Sequence, residues 1–198
     1  MATVAPRPTL FVIAGPNGAG KTSFYETVLA RRIAAPFVNA DIIQRDELDD
    51  SPPEASYRAA RIAERRRRVL VAERRSFVFE TVFSHPSKLD FLRDARAAGF
   101  RIILFHLNVA SADIAVARVK ARKTEGGHDV PENKIRERYD RNRALIREAA
   151  LIADRAQILD SSALNEQPRV LLEVSDGRLV SRAKQLPRWC RDLYGDLF

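Results

Sequence analysis

Gly15-Pro16-Asn17-Gly18-Ala19-Gly20-Lys21-Thr22 decides the reading of this chain. The octapeptide satisfies G-x-x-x-x-G-K-[ST], the P-loop pattern. Leu10-Phe11-Val12-Ile13-Ala14, just before it, is short and apolar, as a buried parallel strand is. The stretch after it has helical patterning, so a helix is expected over Lys21–Arg32. Strand, glycine loop and helix are the setting in which this pattern binds phosphate. The glycines let the backbone turn where a Cβ would forbid it. Successive N–H groups then face inward as a nest for oxyanions, at the positive end of a helix. Gly15 to Ser23 are therefore the expected nucleotide-binding residues. Lys21 would reach the β- and γ-phosphates, and the Thr22 hydroxyl would ligate Mg²⁺ directly.

The rest of the chain fits an α/β layer architecture. Strands are expected at Thr9–Ala14, Phe37–Asn39, Ser76–Glu80, Arg101–Leu107 and Arg155–Leu159. Helices are expected at Lys21–Arg32, Pro53–Arg75, Ser87–Ala98, Ala112–Lys123 and Pro131–Ala150. Alternating strands and helices predict a mostly parallel sheet covered on both faces, a three-layer P-loop fold. Arg169–Val174 and Arg178–Arg182, joined at Asp176-Gly177, predict a C-terminal β-hairpin. The Pro187-Arg188-Trp189 segment is expected to pack back onto the body.

Composition sets the outer limits. The chain has 198 residues, 45% of them hydrophobic, which suits one domain over 1–198 with a sizeable core. No apolar run is long enough to span a membrane, and no signal-peptide core is evident, so a cytoplasmic location is expected. Cys190 is the sole cysteine, so neither an internal disulfide nor a cysteine metal cluster can form. His85, His106 and His128 form no zinc-binding pattern. Formal net charge is +8, and Arg58–Arg75 alone, with eight arginines and two glutamates, contributes +6. Apolar residues recur through that stretch at helical spacing, which describes a helix with one packed and one wet side. Such a face suits an anionic substrate or partner; a nucleic-acid role for it is the weaker reading.

Ligands of open α/β sheets bind beyond the carboxyl ends of the strands. That rule selects Asp41, at the tip of the second strand and 20 positions after Lys21. A kinase needs a carboxylate there to orient and deprotonate an acceptor hydroxyl. The competing reading makes Asp41 the N-cap of a helix starting at Ile42. Glu80 closes the apolar run Phe77-Val78-Phe79, where it would hold Mg²⁺ through water or grip a substrate hydroxyl. Between Arg118 and Arg143, two basic helices flank Gly126-Gly127-His128-Asp129, an arrangement that suggests a lid. Its arginines would neutralise charge on a transferring phosphoryl group; the alternative is two exposed helices laced by ion pairs to Glu125, Glu132, Glu137 and Glu148.

Taken together, these segments resemble the zeta toxin family, in particular its short, single-domain bacterial members. The resemblance is carried by Phe11 to Ser23, Val38-Asn39-Ala40-Asp41, Phe79-Glu80-Thr81 and Gly126-Gly127-His128-Asp129-Val130-Pro131. It continues in Ile135-Arg136-Glu137-Arg138-Tyr139, Leu159-Asp160-Ser161-Ser162 and Leu186-Pro187-Arg188-Trp189. It implies a P-loop kinase fold and transfer of the ATP γ-phosphate, with Mg²⁺, to a nucleotide sugar, UDP-N-acetylglucosamine in the characterised toxins. It places the catalytic aspartate on Asp41, the phosphate-binding lysine on Lys21 and the substrate contacts on Glu80 and Thr81. The lid arginines fall on Arg118 and Arg122, with Arg138 next. It also implies a toxin whose antitoxin is a separate protein. The chain is shorter than the long zeta toxins, and its Gly-Gly-His segment replaces their longer arginine-bearing one. Two other readings share the same residues: a polynucleotide or nucleoside kinase, and a binding module switched by nucleotide without catalysis.

Overall fold

The computed structural model describes residues 6–48, 54–124 and 130–198. The described residues form a seven-stranded sheet in the order β2-β3-β1-β4-β5-β6-β7. β1 (Thr9–Ala14) lies between β3 (Phe77–Thr81) and β4 (Arg101–Asn108), parallel to both. β2 (Phe37–Val38) and β5 (Arg155–Asp160) extend the parallel part. β6 (Arg169–Ser175) and β7 (Arg178–Arg182) add antiparallel strands, as the hairpin pattern predicts.

Every parallel strand runs the same way, so the carboxyl ends of β1 to β5 converge on one edge. β1 is at the centre because both its faces are apolar: Leu10, Val12, Ile13 and Ala14 are all fully buried. Alternation then sends Leu10, Val12 and Ala14 into the larger core and Ile13 into the smaller one. The larger core lies under α3 (Glu54–Ala72), α4 (Ser87–Ala97), α6 (Glu132–Ile152) and α7 (Arg188–Tyr194). Phe77, Phe79, Phe83 and Phe100 are its large, fully buried side chains. Each contributes roughly 2–3 kcal/mol on an area basis. The smaller core packs Phe24 and Leu29 against Val78, Phe105 and Leu107. A third cluster joins α5 (Ala112–Thr124) to α6 through Val116, Val119, Ile135 and Tyr139.

Three elements differ from the sequence expectation. The helix expected over Lys21–Arg32 is α-helical only at Lys21–Phe24 (α1) and continues as a π-helix, Tyr25–Leu29, before unwinding. The wider turn is accompanied by Tyr25 stacked on Phe37, ring centroids 3.6 Å apart. The Arg58–Arg75 helix stops at Ala72, and Arg74 takes a left-handed φ of 53° that ends it; its expected start at Pro53 lies outside the described residues. The expected strand at Phe37–Asn39 is cut to two residues because Asn39 caps α2 (Ala40–Glu47), a helix that the capping reading of Asp41 would start at Ile42. None of the described helices is long and apolar enough to cross a membrane.

Candidate active site

The P-loop leaves β1 and enters α1 at the carboxyl edge of the sheet. Its glycines are fixed by what surrounds them. A Cβ on Gly15 would stand 2.1 Å from the Leu107 carbonyl oxygen. A Cβ on Gly18, where φ is +76°, would stand 2.6 Å from the Ala115 carbonyl oxygen. The loop is thus pressed between β4 and α5, where only glycine fits. Gly20 also holds a left-handed φ of 73° at the N-terminus of α1. The first-turn N–H groups of a helix lack intrahelical acceptors, which suits the start of α1 to an oxyanion. Ala19 donates back to Pro16, which closes the turn.

Lys21 is buried at the start of α1. Its Nζ donates to the Pro16 carbonyl at 3.0 Å and lies 3.7 Å from Glu80 Oε1. Burial pulls the Lys21 ammonium below its ordinary pKa, while Glu80 and Asp41 push it back up. Burial likewise raises the Glu80 carboxyl, against the opposing pull of Lys21 and the Thr22 hydrogen bond. Thr22 Oγ1 donates to Glu80 Oε2 at 2.8 Å, and Asn39 Nδ2 donates to the same oxygen at 2.8 Å. Glu80 is thus the hub of the site. The Thr22 hydroxyl and the Glu80 carboxylate, side by side, form the hard oxygen donor set that suits Mg²⁺ with several waters.

Asn39 does two jobs. Its Nδ2 binds Glu80, and its Oδ1 accepts from the Asp41 N–H at 2.8 Å and the Ile42 N–H at 3.3 Å. Asn39, and not Asp41, is therefore the N-cap of α2. That frees the Asp41 carboxylate, which is exposed in the first turn of α2 and close enough to act electrostatically on both Lys21 and Glu80. Thr81 Oγ1 accepts from the Phe83 N–H, which shapes the turn leaving β3.

The arginines sort by partner. Arg118 donates to four backbone carbonyls: Gly18 at 3.4 Å, Ser161 at 2.6 Å, Ser162 at 2.9 Å and Ala163 at 3.0 Å. It ties the loop after β5 to the P-loop. Asp160 shapes the same loop by accepting from the Ser162 N–H. Arg122, one turn along α5, is exposed and acts electrostatically on Lys21 and Glu80. Arg138 is half-buried on α6. Lys120 and Arg136 pair with Glu132, Arg136 also with Asp113, Arg141 with Glu137, and Glu148 with Arg93. Residues 125–129, with the expected Gly126-Gly127-His128-Asp129 hinge, lie outside the described residues.

Sequence reasoning assigned no role to Asn39, although an asparagine just before a helix is an ordinary capping signal. It also saw Arg118 only as a lid cation; its acceptors are far off in sequence and leave no local mark.

A parallel sheet in this order, with a P-loop at its centre and a carboxylate on the neighbouring strand, defines an α/β P-loop kinase-like fold. The chain belongs to the AAA domain family AAA_33, whose sequence model matches residues 10–167. A Haemophilus influenzae protein described only as uncharacterized is 26% identical over 125 residues, covering 63% of this chain and 88% of its own. The crystal structure of AvrRxo1-ORF1:AvrRxo1-ORF2 with sulphate ions superposes with a TM-score of 0.71 at 16% identity, covering 98% of this chain. This chain spans 64% of the length of that one. The PezAT chromosomal toxin–antitoxin system of Streptococcus pneumoniae matches with a TM-score of 0.59 at 16% identity, over 99% of this chain and 80% of the other. A putative kinase from Chloroflexus aurantiacus gives 0.56 at 19% identity, over 68% and 78%. These likenesses establish the fold.

Proposed function

We propose that this chain is an ATP- and Mg²⁺-dependent kinase of zeta toxin type. It transfers the γ-phosphate to a hydroxyl of a nucleotide sugar, UDP-N-acetylglucosamine being the first choice. The observation that carries this reading is the Lys21–Glu80–Thr22–Asn39 network, with the Asp41 carboxylate freed from capping beside it. A nucleotide switch needs the phosphate nest; it does not need a free carboxylate beside it.

The chain's own groups divide the work. Lys21 and the loop amides from Gly15 to Ser23 hold the phosphates. Thr22 and Glu80 would hold Mg²⁺, which when bound would neutralise charge on the phosphate oxygens. Asp41 accepts the proton of the acceptor hydroxyl as its oxygen bonds to the γ-phosphorus and the bond to the β-phosphate oxygen breaks, releasing ADP. Glu80 and Thr81 orient the acceptor. Arg122 and Arg138 supply positive charge from the lid, which spans roughly 118–143 of a single 1–198 domain. Arg118 acts by fixing the nucleotide-side loop.

The solved neighbour named as a toxin–antitoxin system supports a second element of the proposal, a separate antitoxin protein as partner; a cytoplasmic location is part of the same reading. Labelled ATP offered with UDP-N-acetylglucosamine, other nucleotide sugars, nucleosides and 5′-hydroxyl oligonucleotides tests the acceptor. Label on UDP-N-acetylglucosamine supports the full reading; label on an oligonucleotide alone replaces it with a polynucleotide kinase.

A further inference from the structure

The edge of the sheet opposite the P-loop carries a cavity of about 510 Å³. Thr9, Arg101 and Arg155, the first residues of β1, β4 and β5, line it together with Ser175, the last residue of β6. Strand pairing puts these four side chains on one face of four adjacent strands. Thr9 lies opposite Arg101, Ile103 opposite Arg155, and Arg155 opposite Ser175, and paired or alternate residues share a face. Arg101 is thus diagonal to Arg155, roughly 8 Å away between Cα atoms from strand spacing and rise, a gap that two arginine side chains span. Arg178 of β7 continues the row, opposite Ser175. At about 3.3 Å per residue, the six-residue β1 separates this row from the P-loop by roughly 20 Å. Arg101, Arg155 and Asp176 are exposed on the cavity wall, so a ligand reaches them directly from solvent.

Part of the wall is structural. Arg7 donates to the Gly99 carbonyl at 3.1 Å, to the Phe100 carbonyl at 2.8 Å and to Asp154 Oδ1 at 3.1 Å. Asp154 Oδ2 accepts from the Ile102 N–H at 2.8 Å. The Asp154 carbonyl accepts from the Ser175 hydroxyl at 3.1 Å and from the Asp176 N–H at 3.3 Å. Arg7 and Asp154 thus neutralise one another and hold the strand ends together. Among the described residues, Arg7–Asp154 is the ion pair at this cavity, and neither Arg101 nor Arg155 has one. Glu173, two positions before Ser175, is engaged by Gln157 and Ser181 and more weakly by the charge of Arg155. Asp176 is the remaining acid on the wall, at a left-handed φ of 48° in the turn before β7. Two arginines therefore face one free aspartate.

Two arginines on one cavity suit a dianion, and their planar forks match phosphate oxygens. Asp176 opposes a ligand that is anionic throughout and suits one with hydroxyl donors beside its phosphate. The volume fits a small molecule, since ligand pockets span roughly 300–1,000 Å³. We infer that Arg101 and Arg155, with Asp176, form a second ligand site that takes the phosphate monoester of a small hydroxylated molecule. The two guanidiniums bind the phosphate, and Asp176 accepts from a hydroxyl. The site is separate from the P-loop and does not rest on the kinase reading.

The test uses the full chain with its P-loop saturated by ADP and Mg²⁺. Glycerol 3-phosphate, inorganic phosphate and glycerol are titrated at constant ionic strength, followed by the backbone amide NMR signals of Arg101, Asp176 and Gly177. The expected result is a saturable shift of these signals with glycerol 3-phosphate and none with glycerol. Arg101→Gln and Arg155→Gln, at exposed positions, should each weaken binding about tenfold or more, with ADP affinity unchanged as the folding control. Asp176→Asn keeps a residue that tolerates the left-handed turn. It should leave inorganic phosphate bound at least as tightly and erase the advantage of glycerol 3-phosphate over it. No saturable shift, or an affinity unchanged in both arginine variants, overturns the site. Equal affinity of the wild type for the two phosphates overturns the monoester assignment and the part given to Asp176.

Discussion

Replacing Asn39 tests how the site is assembled, because one side chain both caps α2 and supports Glu80. Asn39→Ala removes the cap from the Asp41 and Ile42 amides, which costs about 1 kcal/mol. It also removes a 2.8 Å donor from a buried carboxylate, and hydrogen bonds to charged groups are worth roughly 2 kcal/mol. The sum is about 3 kcal/mol, or a fall in Tm of roughly 6–12 °C for a chain this long. Asn39→Asp separates the two effects. It keeps an oxygen to cap α2 but places a second carboxylate beside Glu80. Burial already holds the Glu80 pKa above the ordinary value of 4.5, and the new charge raises it further. A raised folded-state pKa gives stability that is full below the unfolded value and lost as pH climbs through the folded value. The deficit of Asn39→Asp should therefore shrink toward pH 4.5 and grow toward pH 8, while the capping part of the Asn39→Ala deficit persists at every pH. Urea denaturation followed by circular dichroism across that range reads both. A cost below about 1 kcal/mol for Asn39→Ala, or identical pH profiles for the two variants, would refute this account of Asn39.

Other expectations follow from the same contacts. Gly18→Ala places a Cβ 2.6 Å from the Ala115 carbonyl oxygen at a φ of +76°, so ATP affinity measured by calorimetry should drop about tenfold or more. Normal affinity would mean the loop is not held against α5. Lys21→Met removes the charge that lowers the Glu80 pKa, so its stability cost relative to wild type should be smallest near pH 4.5 and increase toward pH 8. A cost independent of pH would show that the two groups are not coupled. Arg118→Ala releases the carbonyls of Ser161, Ser162 and Ala163, so hydrogen exchange in 160–165 should accelerate and nucleotide affinity fall. Arg118→Lys should fail to restore either, since one ammonium cannot span the same carbonyls.

Much of this was legible in the chain, for identifiable reasons. β1 falls at Thr9–Ala14 as expected, and the later helices α4 to α6 and the strands lie within a few residues of their predicted spans, because burial writes itself into apolar runs and helical spacing. The P-loop is legible because close backbone packing leaves glycine as the residue that fits. What escaped notice depends on partners remote in sequence. The π-helical turn at Tyr25–Leu29 accompanies stacking on Phe37, which no local pattern encodes. Arg118 reads as a lid cation on helical spacing alone; its carbonyl acceptors lie 43 to 100 positions away. Arg67 looks like one member of an arginine run, and only packing turns it inward onto Phe79 and Phe91. Asn39 reads as the end of a strand because the apolar Phe37-Val38 run precedes it, and the capping signal falls on Asp41 instead.

The most direct test of the central claim compares wild type with Asp41→Ala in two assays on the same preparation: ATP binding by calorimetry, and single-turnover transfer of the γ-phosphate to UDP-N-acetylglucosamine. Asp41 is exposed and does not cap α2, so the variant should fold and bind ATP as wild type does. Its transfer rate should fall about 10²- to 10⁴-fold, the usual worth of a general base. Unchanged transfer in Asp41→Ala would remove Asp41 from the chemistry, and with it the proposed mechanism.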